Sequence, residues 1–526
     1  MPKVLISDEL SPAAVAIFEE RGVEVDLRPG LSKADLLAVI ADYDGLAVRS
    51  ATKVTAEVLA TARNLKVVGR AGIGVDNIDV EAATQHGVVV MNTPFGNSTT
   101  TAEHAIAMTM ALARQLPAAD RSTRAGKWEK SRFMGVELYG KTLGLVGCGN
   151  IGSIVADRAQ GLKMKVIAFD PFLSEGRAQD LGVEKVDLDS LLARADFITL
   201  HTPLTEQTRN LLNRDALART KPGVRIVNCA RGGLVDEQAL ADAIRSGHVA
   251  GAALDVFAVE PAKSSPLFEM EEVVVTPHLG ASTGEAQENV ALQVAEQMSD
   301  YLLNGAVVNA LNMPSVTAEE APRLRPYMRL AEQLGSFAGQ LTEGSLTGIT
   351  VTYAGHAAQL NNRPLTQIVL QGLLAPQLSS VNMINAPVIA RARGIEVTTV
   401  EHEHVDGYQT LMSVEVHTDQ APPRAVRGTL FQGQEPRIVS IRDIEVEARL
   451  GRHMLYVRNS DKPGFIGALG NVLGAAGINI ATFHLGRDRP GGDAIALVEV
   501  DQPLPTEVID RVLALPQVLR AKVLSF

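Results

Sequence analysis

One rhythm constrains this chain more than any other feature. Across the first 315 residues, short β-branched apolar runs recur at 4–7, 45–48, 66–69, 88–91, 143–146, 165–169, 196–200, 225–228, 250–254 and 273–276, separated by turns and helical stretches. Continuous apolar strands alternating with helices belong to parallel sheets covered on both faces, because a sheet with one wet face would alternate in polarity. So many strands overfill one compact doubly wound sheet of ordinary size, and the pattern predicts two α/β lobes with a cleft between them. Ser98-Thr99-Thr100-Thr101 offers N-caps to a long helix through Ala105, Met108 and Leu112, and a second long helical stretch spans 284–303. These are natural crossings between lobes. They place one doubly wound lobe at 98–285, inserted into another built from 1–97 and 286–315.

Past Asn312-Met313-Pro314 the texture changes. Residues 316–450 combine a Pro- and Arg-rich helical start with alternating segments at 349–353 and 438–446, an α+β pattern with no chemical motif. Residues 453–526 read as β-α-β-β-α-β: 454–458, a helix from Pro463, 479–485, 494–500, a helix from Pro505, and 518–524. That order is ferredoxin-like.

Composition removes several classes of function. Lys plus Arg number 49 against 60 Asp plus Glu, a net charge of −11, whereas a general nucleic-acid binder needs a basic surface. No apolar run approaches the roughly 18 residues of a membrane helix, so no membrane partner is expected. The opening Met1-Pro2-Lys3-Val4-Leu5-Ile6-Ser7-Asp8 turns polar after one short strand, unlike a signal peptide. Cys148 and Cys229 are the only cysteines, which excludes a disulfide framework and a Cys-rich metal centre and fits a reducing cytoplasm. Glu401-His402-Glu403-His404, on an alternating strand, reads as a solvated face rather than a metal site.

The run 143–146 enters Gly147-Cys148-Gly149-Asn150-Ile151-Gly152 and then a helix. Glycines also mark ordinary turns, but here the motif follows a strand and opens a helix, as dinucleotide binding requires. Gly147 permits the tight turn, Gly149 the approach of a pyrophosphate, and Gly152 close helix–strand packing. The next strand ends at Asp170, whose carboxylate would bond an adenosine ribose and repel a 2′-phosphate. Its neighbours Pro171, Phe172 and Leu173 offer that phosphate no cation. NAD is therefore expected over NADP.

Ligands of open α/β sheets lie beyond the carboxyl ends of the strands. There the chain places His201-Thr202-Pro203, Cys229-Ala230-Arg231-Gly232-Gly233, Asp255, and Pro277-His278-Leu279-Gly280-Ala281, with Glu260 just past Asp255. His278 suits the base that an alcohol needs near neutral pH, Glu260 a carboxylate that would raise its pKa, and Arg231 a forked partner for a substrate carboxylate. His201 has no following carboxylate and reads as structural. Arg49 and Arg70 end strands of the first lobe, where both could face a phosphate across the cleft.

These motifs, with Asn228 through Asp236 and Asp255-Val256-Phe257, resemble the D-isomer-specific 2-hydroxy acid dehydrogenases. Within that family, Val67 through Asn77 and Gly126-Lys127-Trp128 resemble the members that oxidise 3-phosphoglycerate, in their long form with an intervening domain and a C-terminal ACT domain. The resemblance spans the whole chain. It implies a flavodoxin-like substrate lobe (1–97 and 286–315), a Rossmann-type NAD lobe (98–285), an intervening regulatory or assembly domain (316–450) and an ACT domain (453–526). Arg231, Glu260 and His278 are then catalytic. NAD contacts fall on Gly147, Gly149, Asn150, Ile151, Gly152, Asp170, Thr202, Cys229, Ala230, Arg231, Asp255, His278, Leu279, Gly280 and Ala281, and substrate contacts on Arg49, Ser50, Arg70 and Gly72. Trp128 is expected either near a subunit contact of a homotetramer or simply buried. The ACT domain implies L-serine as an effector at Asn459, Asp461 and Asn479; a purely structural module with Asp461 as a helix cap is the competing account. The implied reaction is NAD-dependent oxidation of 3-phosphoglycerate to 3-phosphohydroxypyruvate, the first step of L-serine biosynthesis. The alternatives are a hydroxypyruvate, glyoxylate or D-lactate reductase, and a non-enzymatic NAD-sensing corepressor.

Overall fold

The computed structural model describes residues 1–526 except 318, 379–380, 405–406 and 420–421. Its first two sheets are entirely parallel. One has five strands in the order Glu24–Leu27, Lys3–Ile6, Gly45–Val48, Val67–Arg70, Val89–Asn92, the flavodoxin-like arrangement. The other has seven, in the order Val273–Val275, Val249–Leu254, Val224–Asn228, Phe197–Leu200, Thr142–Val146, Lys165–Phe169, Glu184–Lys185, a doubly wound sheet whose first strand in sequence is internal. Glu24–Leu27 and Glu184–Lys185 escape the apolar pattern because both are edge strands, where charged side chains stay wet.

Two long helices link the lobes. Helix Gly284–Asn304 returns to the first lobe, where Val290, Val294 and Met298 join Val4, Val67 and Met91 in one core. Met298 lies so close to the strands that a Cβ at Gly69 would overlap it. Helix Ser98–Ala113 packs Ala102, Ala105, Met108 and Leu112 onto Leu143, Leu145 and Val155 of the second lobe. The expected hydroxyl caps are not formed there. Asn97 is the cap residue and makes no side-chain cap bond, while Ser98 and Thr101 already lie within the helix and bond back to the Pro94 and Asn97 carbonyls.

The third sheet is mixed, in the order Glu396–His402, Leu346–Gly355, Thr410–Thr418, Arg424–Phe431, Glu435–Ile441, Ile444–Ala448, with only its first pair parallel. The single segment expected at 438–446 is two strands, because Arg442 and Asp443 both take positive φ (53° and 63°) and reverse the chain in a two-residue hairpin. Strand Glu396–His402 ends at His402, so the alternation expected through His404 stops short; no group of three or more metal-ligating side chains occurs among the described residues. The fourth sheet, Ile480–Arg487, Asp493–Val500, His453–Ser460, Val518–Ser525, is antiparallel with ferredoxin-like order. Its first helix runs Phe465–Ala475 rather than from Pro463, because Gly464 at φ 93° completes a turn before the helix opens. One face of this sheet carries Leu455 and Val457 beneath Phe465, Leu469 and Val512. The other presents Met454, Tyr456, Leu497 and Leu524 to Phe337 of the long helix Glu320–Leu341, so the last two domains share a core. Among the described residues no helix is long and apolar enough to cross a membrane.

Candidate active site

The glycine loop has the stereochemistry its spacing requires. Gly147 sits at φ 91° with the His201 carbonyl 2.5 Å from where a Cβ would be. A Cβ at Gly152 would overlap the Gly147 carbonyl, which explains the third glycine, whereas Gly149 faces open space. Helix Asn150–Gly161 begins without a side-chain cap, so its first N–H groups are free for the NAD pyrophosphate. Ile151 packs partly buried against the lobe core, and the Asn150 amide reaches the Pro94 carbonyl across the cleft at 3.5 Å. Asp170 accepts from Cys148 N and Phe172 N, both at 2.8 Å, so one carboxylate ties the glycine loop to the end of the next strand. The fit of this cradle to NAD rests on open space where the phosphates approach and glycine wherever backbone meets backbone.

His278 and Glu260 meet. The imidazole Nδ1 lies 2.7 Å from Glu260 Oε2, and the Phe257 N–H donates to Oε1 at 3.1 Å. The Glu260 bond pushes the His278 pKa above its ordinary value, overriding partial burial. Burial drives the Glu260 carboxyl upward, but the His278 and Phe257 donors outweigh it and hold it below the usual range. A carboxylate on Nδ1 makes that nitrogen the N–H, which leaves Nε2 lone-pair-bearing toward the cleft.

The loop that carries His278 hangs on Asp255. This carboxylate, fully buried, accepts from Leu279 N at 2.7 Å, Gly280 N at 2.8 Å, Thr276 Oγ1 at 2.5 Å and His104 Nε2 at 3.2 Å. Its backbone carbonyl also takes the His278 N–H. These bonds hold His278 at φ 56°, a left-handed conformation that a β-carbon disfavours and that needs such over-determination. Asp255 is thus turned inward to the loop, and Ala281 closes the segment beyond it.

Arg231 extends from the second lobe to the first, where its Nε donates to Asp76 at 3.0 Å, while another donor takes the Ala230 carbonyl at 2.7 Å. Asn228 holds that turn from both sides. Arg70 lies beside it, half-buried, its pKa pushed down to about 10 by burial and then by the Arg231 charge; its Nε has no partner. Both guanidiniums rest on the loop 72–76. A Cβ at Gly72, which sits at φ 140°, would overlap Arg70, and one at Gly74 would overlap Arg231. Arg49 is held at the rim through its N–H to Asp8 at 2.6 Å, with Ser50 exposed beside it.

Other expected residues divide. Cys229 and Ala230 are buried at the end of strand Val224–Asn228, the Cys229 thiol pushed up by burial, and Thr202 lies beyond strand Phe197–Leu200. His201 is half-buried, bonded to Thr199 Oγ1 at 2.9 Å, its pKa pushed down to about 4 by the burial of its ring. Trp128 is 87% exposed, which removes the burial account. In the last domain, Asp461 is engaged by Arg487 at 2.9 Å and Gly491 N at 3.0 Å, and Asn479 donates to Asp501 at 2.8 Å. Asn459 is buried with its amide oxygen unpartnered. Sequence reasoning missed the parts played by Asp76, His104 and Thr276. Asp76 follows Gly74 and Val75, and a carboxylate after a glycine-rich turn beyond a strand was a usable signal; His104 in a helix gave none.

Residues 106–280 match the family model described as D-isomer specific 2-hydroxyacid dehydrogenase, NAD binding domain. That is the class to which the fold and the site both point, an NAD-dependent dehydrogenase of 2-hydroxy acids. Residues 323–442 match the D-3-phosphoglycerate dehydrogenase intervening domain, and 453–517 the ACT domain. The chain is 44% identical to D-3-phosphoglycerate dehydrogenase of Synechocystis sp. over 514 residues, 97% of this chain and 92% of that protein. It is 41% identical to the Bacillus subtilis protein of the same name over 527 residues, covering all of both. The NAD+-bound 3-phosphoglycerate dehydrogenase of Entamoeba histolytica superposes with a TM-score of 0.51 at 30% identity, over 59% of this chain and 98% of its own. The chain belongs to the D-3-phosphoglycerate dehydrogenase family.

Proposed function

We propose that this chain oxidises 3-phosphoglycerate to 3-phosphohydroxypyruvate with NAD+, opening L-serine biosynthesis in the cytoplasm. The observation that carries the reading is the His278–Glu260 pair at 2.7 Å, in the electrostatic neighbourhood of Arg231 and through it of Arg70. Nε2 of His278 takes the C2 hydroxyl proton, and Glu260 stabilises the imidazolium that results. NAD+ supplies the acceptor for the C2 hydride, leaving the 2-oxo acid. Arg231, its plane fixed by Asp76 and the Ala230 carbonyl, orients the substrate carboxylate and polarises the reacting oxygen. Arg70, Arg49 and Ser50 receive the remaining anionic groups; the Gly72 N–H already donates to Thr93 Oγ1 at 2.6 Å, so Gly72 serves by lacking a Cβ where Arg70 lies. Arg70 supports this, because its guanidinium has no ion pair among the described residues and lies beside the Arg231 charge, a pairing of cations that calls for an anion.

L-serine is assigned to the ACT domain at Asn459, Asp461 and Asn479, and the working assembly is a homotetramer. Exposed Trp128, Met134 and Tyr139, within one short segment, support a contact with a second copy. The deciding experiment compares kcat/KM for 3-phosphoglycerate with that for unphosphorylated D-2-hydroxy acids. A preference of at least two orders of magnitude is expected, and equal values would return the chain to the reductases of its class.

A further inference from the structure

The loop that carries Glu260 does not hold itself in place. Between strands Val249–Leu254 and Val273–Val275 the chain runs through 256–265 without helix or strand, and among the described residues no backbone–backbone hydrogen bond involves residues 256–264. Apolar contacts secure the two ends. Phe257 and Leu267 are buried in the core of the NAD lobe, with Phe257 edge-to-face on Phe268, ring centroids 5.3 Å apart. Between them Ala258, Val259, Pro261, Lys263 and Ser264 are exposed. Backbone that bonds to water as readily as to protein does not by itself keep one conformation.

One carboxylate supplies the missing tie. Glu237 opens helix Glu237–Arg245; its Oε1 accepts from Ala258 N at 2.8 Å and its Oε2 from Ser265 Oγ, also at 2.8 Å. A single side chain therefore fastens the loop on both sides of Glu260. The neighbouring Asp236 already caps the helix by accepting from Ala239 N at 2.9 Å, which leaves Glu237 free to reach outward. The segment leading into this helix also carries Arg231. There Gly232 lies so close to the loop that a Cβ would overlap the Phe257 carbonyl. The backbone bearing Arg231 and the backbone bearing Glu260 are pressed together, and Glu237 pins one to the other.

We propose that Glu237 is a positioning residue for the acid–base pair: by holding Ala258 and Ser265 it sets where Glu260 stands against His278. This rests on the assignment of His278 and Glu260 as that pair. The charged groups facing His278 are Glu260, Asp255 and Arg231, so Glu237 acts through the placement of Glu260 and not through its own charge. A purely structural role would be to favour the helix macrodipole from the first turn. Two variants separate the roles. Glu237→Gln loses the charge and keeps the reach, its amide oxygen accepting from Ala258 N and its NH2 donating to Ser265 Oγ. Glu237→Asp keeps the charge at the helix start but is one methylene too short to hold both points. The experiment follows NADH formation from 3-phosphoglycerate across pH in the full-length protein, with Glu260→Gln alongside. Glu237→Asp is expected to lower kcat about 10–10²-fold, as a misplaced catalytic group does, with the Kd for NAD+ unchanged within about twofold. The acidic limb of its kcat/KM profile should move to lower pH, because a more distant Glu260 supports the imidazolium less. Glu237→Gln should restore the rate to within about threefold of wild type, with the limb in place. Added to Glu260→Gln, Glu237→Asp should cost less than about twofold more, since the group it places is already gone. Circular dichroism and the melting point report that each variant is folded. A fully active Glu237→Asp with an unmoved limb overturns the proposal, as does a Glu237→Gln slower than Glu237→Asp, or a loss that multiplies undiminished with that of Glu260→Gln. If Glu260→Gln itself leaves rate and limb unchanged, the acid–base reading fails and this proposal with it.

Discussion

Asp255→Asn removes one charge from beneath the His278 loop and leaves the shape intact. In the wild type, Oδ1 accepts from Thr276, Leu279 and His104, and Oδ2 from Gly280. Burial alone would raise this carboxyl, but the His104, Thr276 and Leu279 bonds prevail and hold its pKa below the usual range. An asparagine places its one carbonyl oxygen best at the Oδ1 position, so its NH2 faces the Gly280 N–H. One unpaired buried donor costs about 1–3 kcal/mol, and the bonds that remain lose the ionic character that roughly doubled their strength. The sum is about 3–5 kcal/mol, in line with breaking a buried charged pair. For a lobe of this size that lowers the melting point by roughly 10 °C. The deficit is complete above the ordinary carboxylate range and shrinks as pH falls through the folded pKa, because only the ionised form is favoured by folding. Loosening the loop also displaces His278, and a misplacement of about 1 Å costs on the order of 10²-fold in rate. Calorimetric melting and NADH formation read the two effects. A variant melting within about 2 °C of wild type with kcat/KM within twofold would refute the role assigned to Asp255.

Glu260→Gln removes the charge that raises the His278 pKa, so the acidic limb of the kcat/KM profile should move to lower pH, with reduced kcat; an unmoved limb would separate Glu260 from the base. Asp76→Asn should change stability by less than about 1 kcal/mol, since its partner contact is largely exposed, yet lower kcat/KM about tenfold by freeing the Arg231 plane. Steady-state kinetics beside a thermal melt separates these, and unchanged kinetics would show that the Ala230 carbonyl alone fixes Arg231. Asp170→Ala should narrow the preference for NAD over NADP and also weaken NAD binding, because the same carboxylate anchors Cys148 N; fluorescence titration of both cofactors tests it, and wild type binding both equally would contradict the reading.

The sequence by itself determined what repeats locally. Apolar runs and helices in alternation specified two parallel sheets, because a strand buried on both faces must be apolar throughout. The Gly147–Gly152 spacing specified the nucleotide loop, because only glycine fits where one carbonyl meets the next turn, and β-α-β-β-α-β order specified the terminal sheet. Edge strands were less legible, since a wet strand need not be apolar, and the 438–446 segment concealed a hairpin because Arg442 and Asp443 do not announce positive φ as glycine does. What only the tertiary structure decided is which charges face each other. His278 and Glu260 lie eighteen positions apart, and Asp76 and Arg231 more than one hundred and fifty. Electrostatic interaction falls with distance through space and is indifferent to distance along the chain, so side-chain partnership appears only once the sheets have packed.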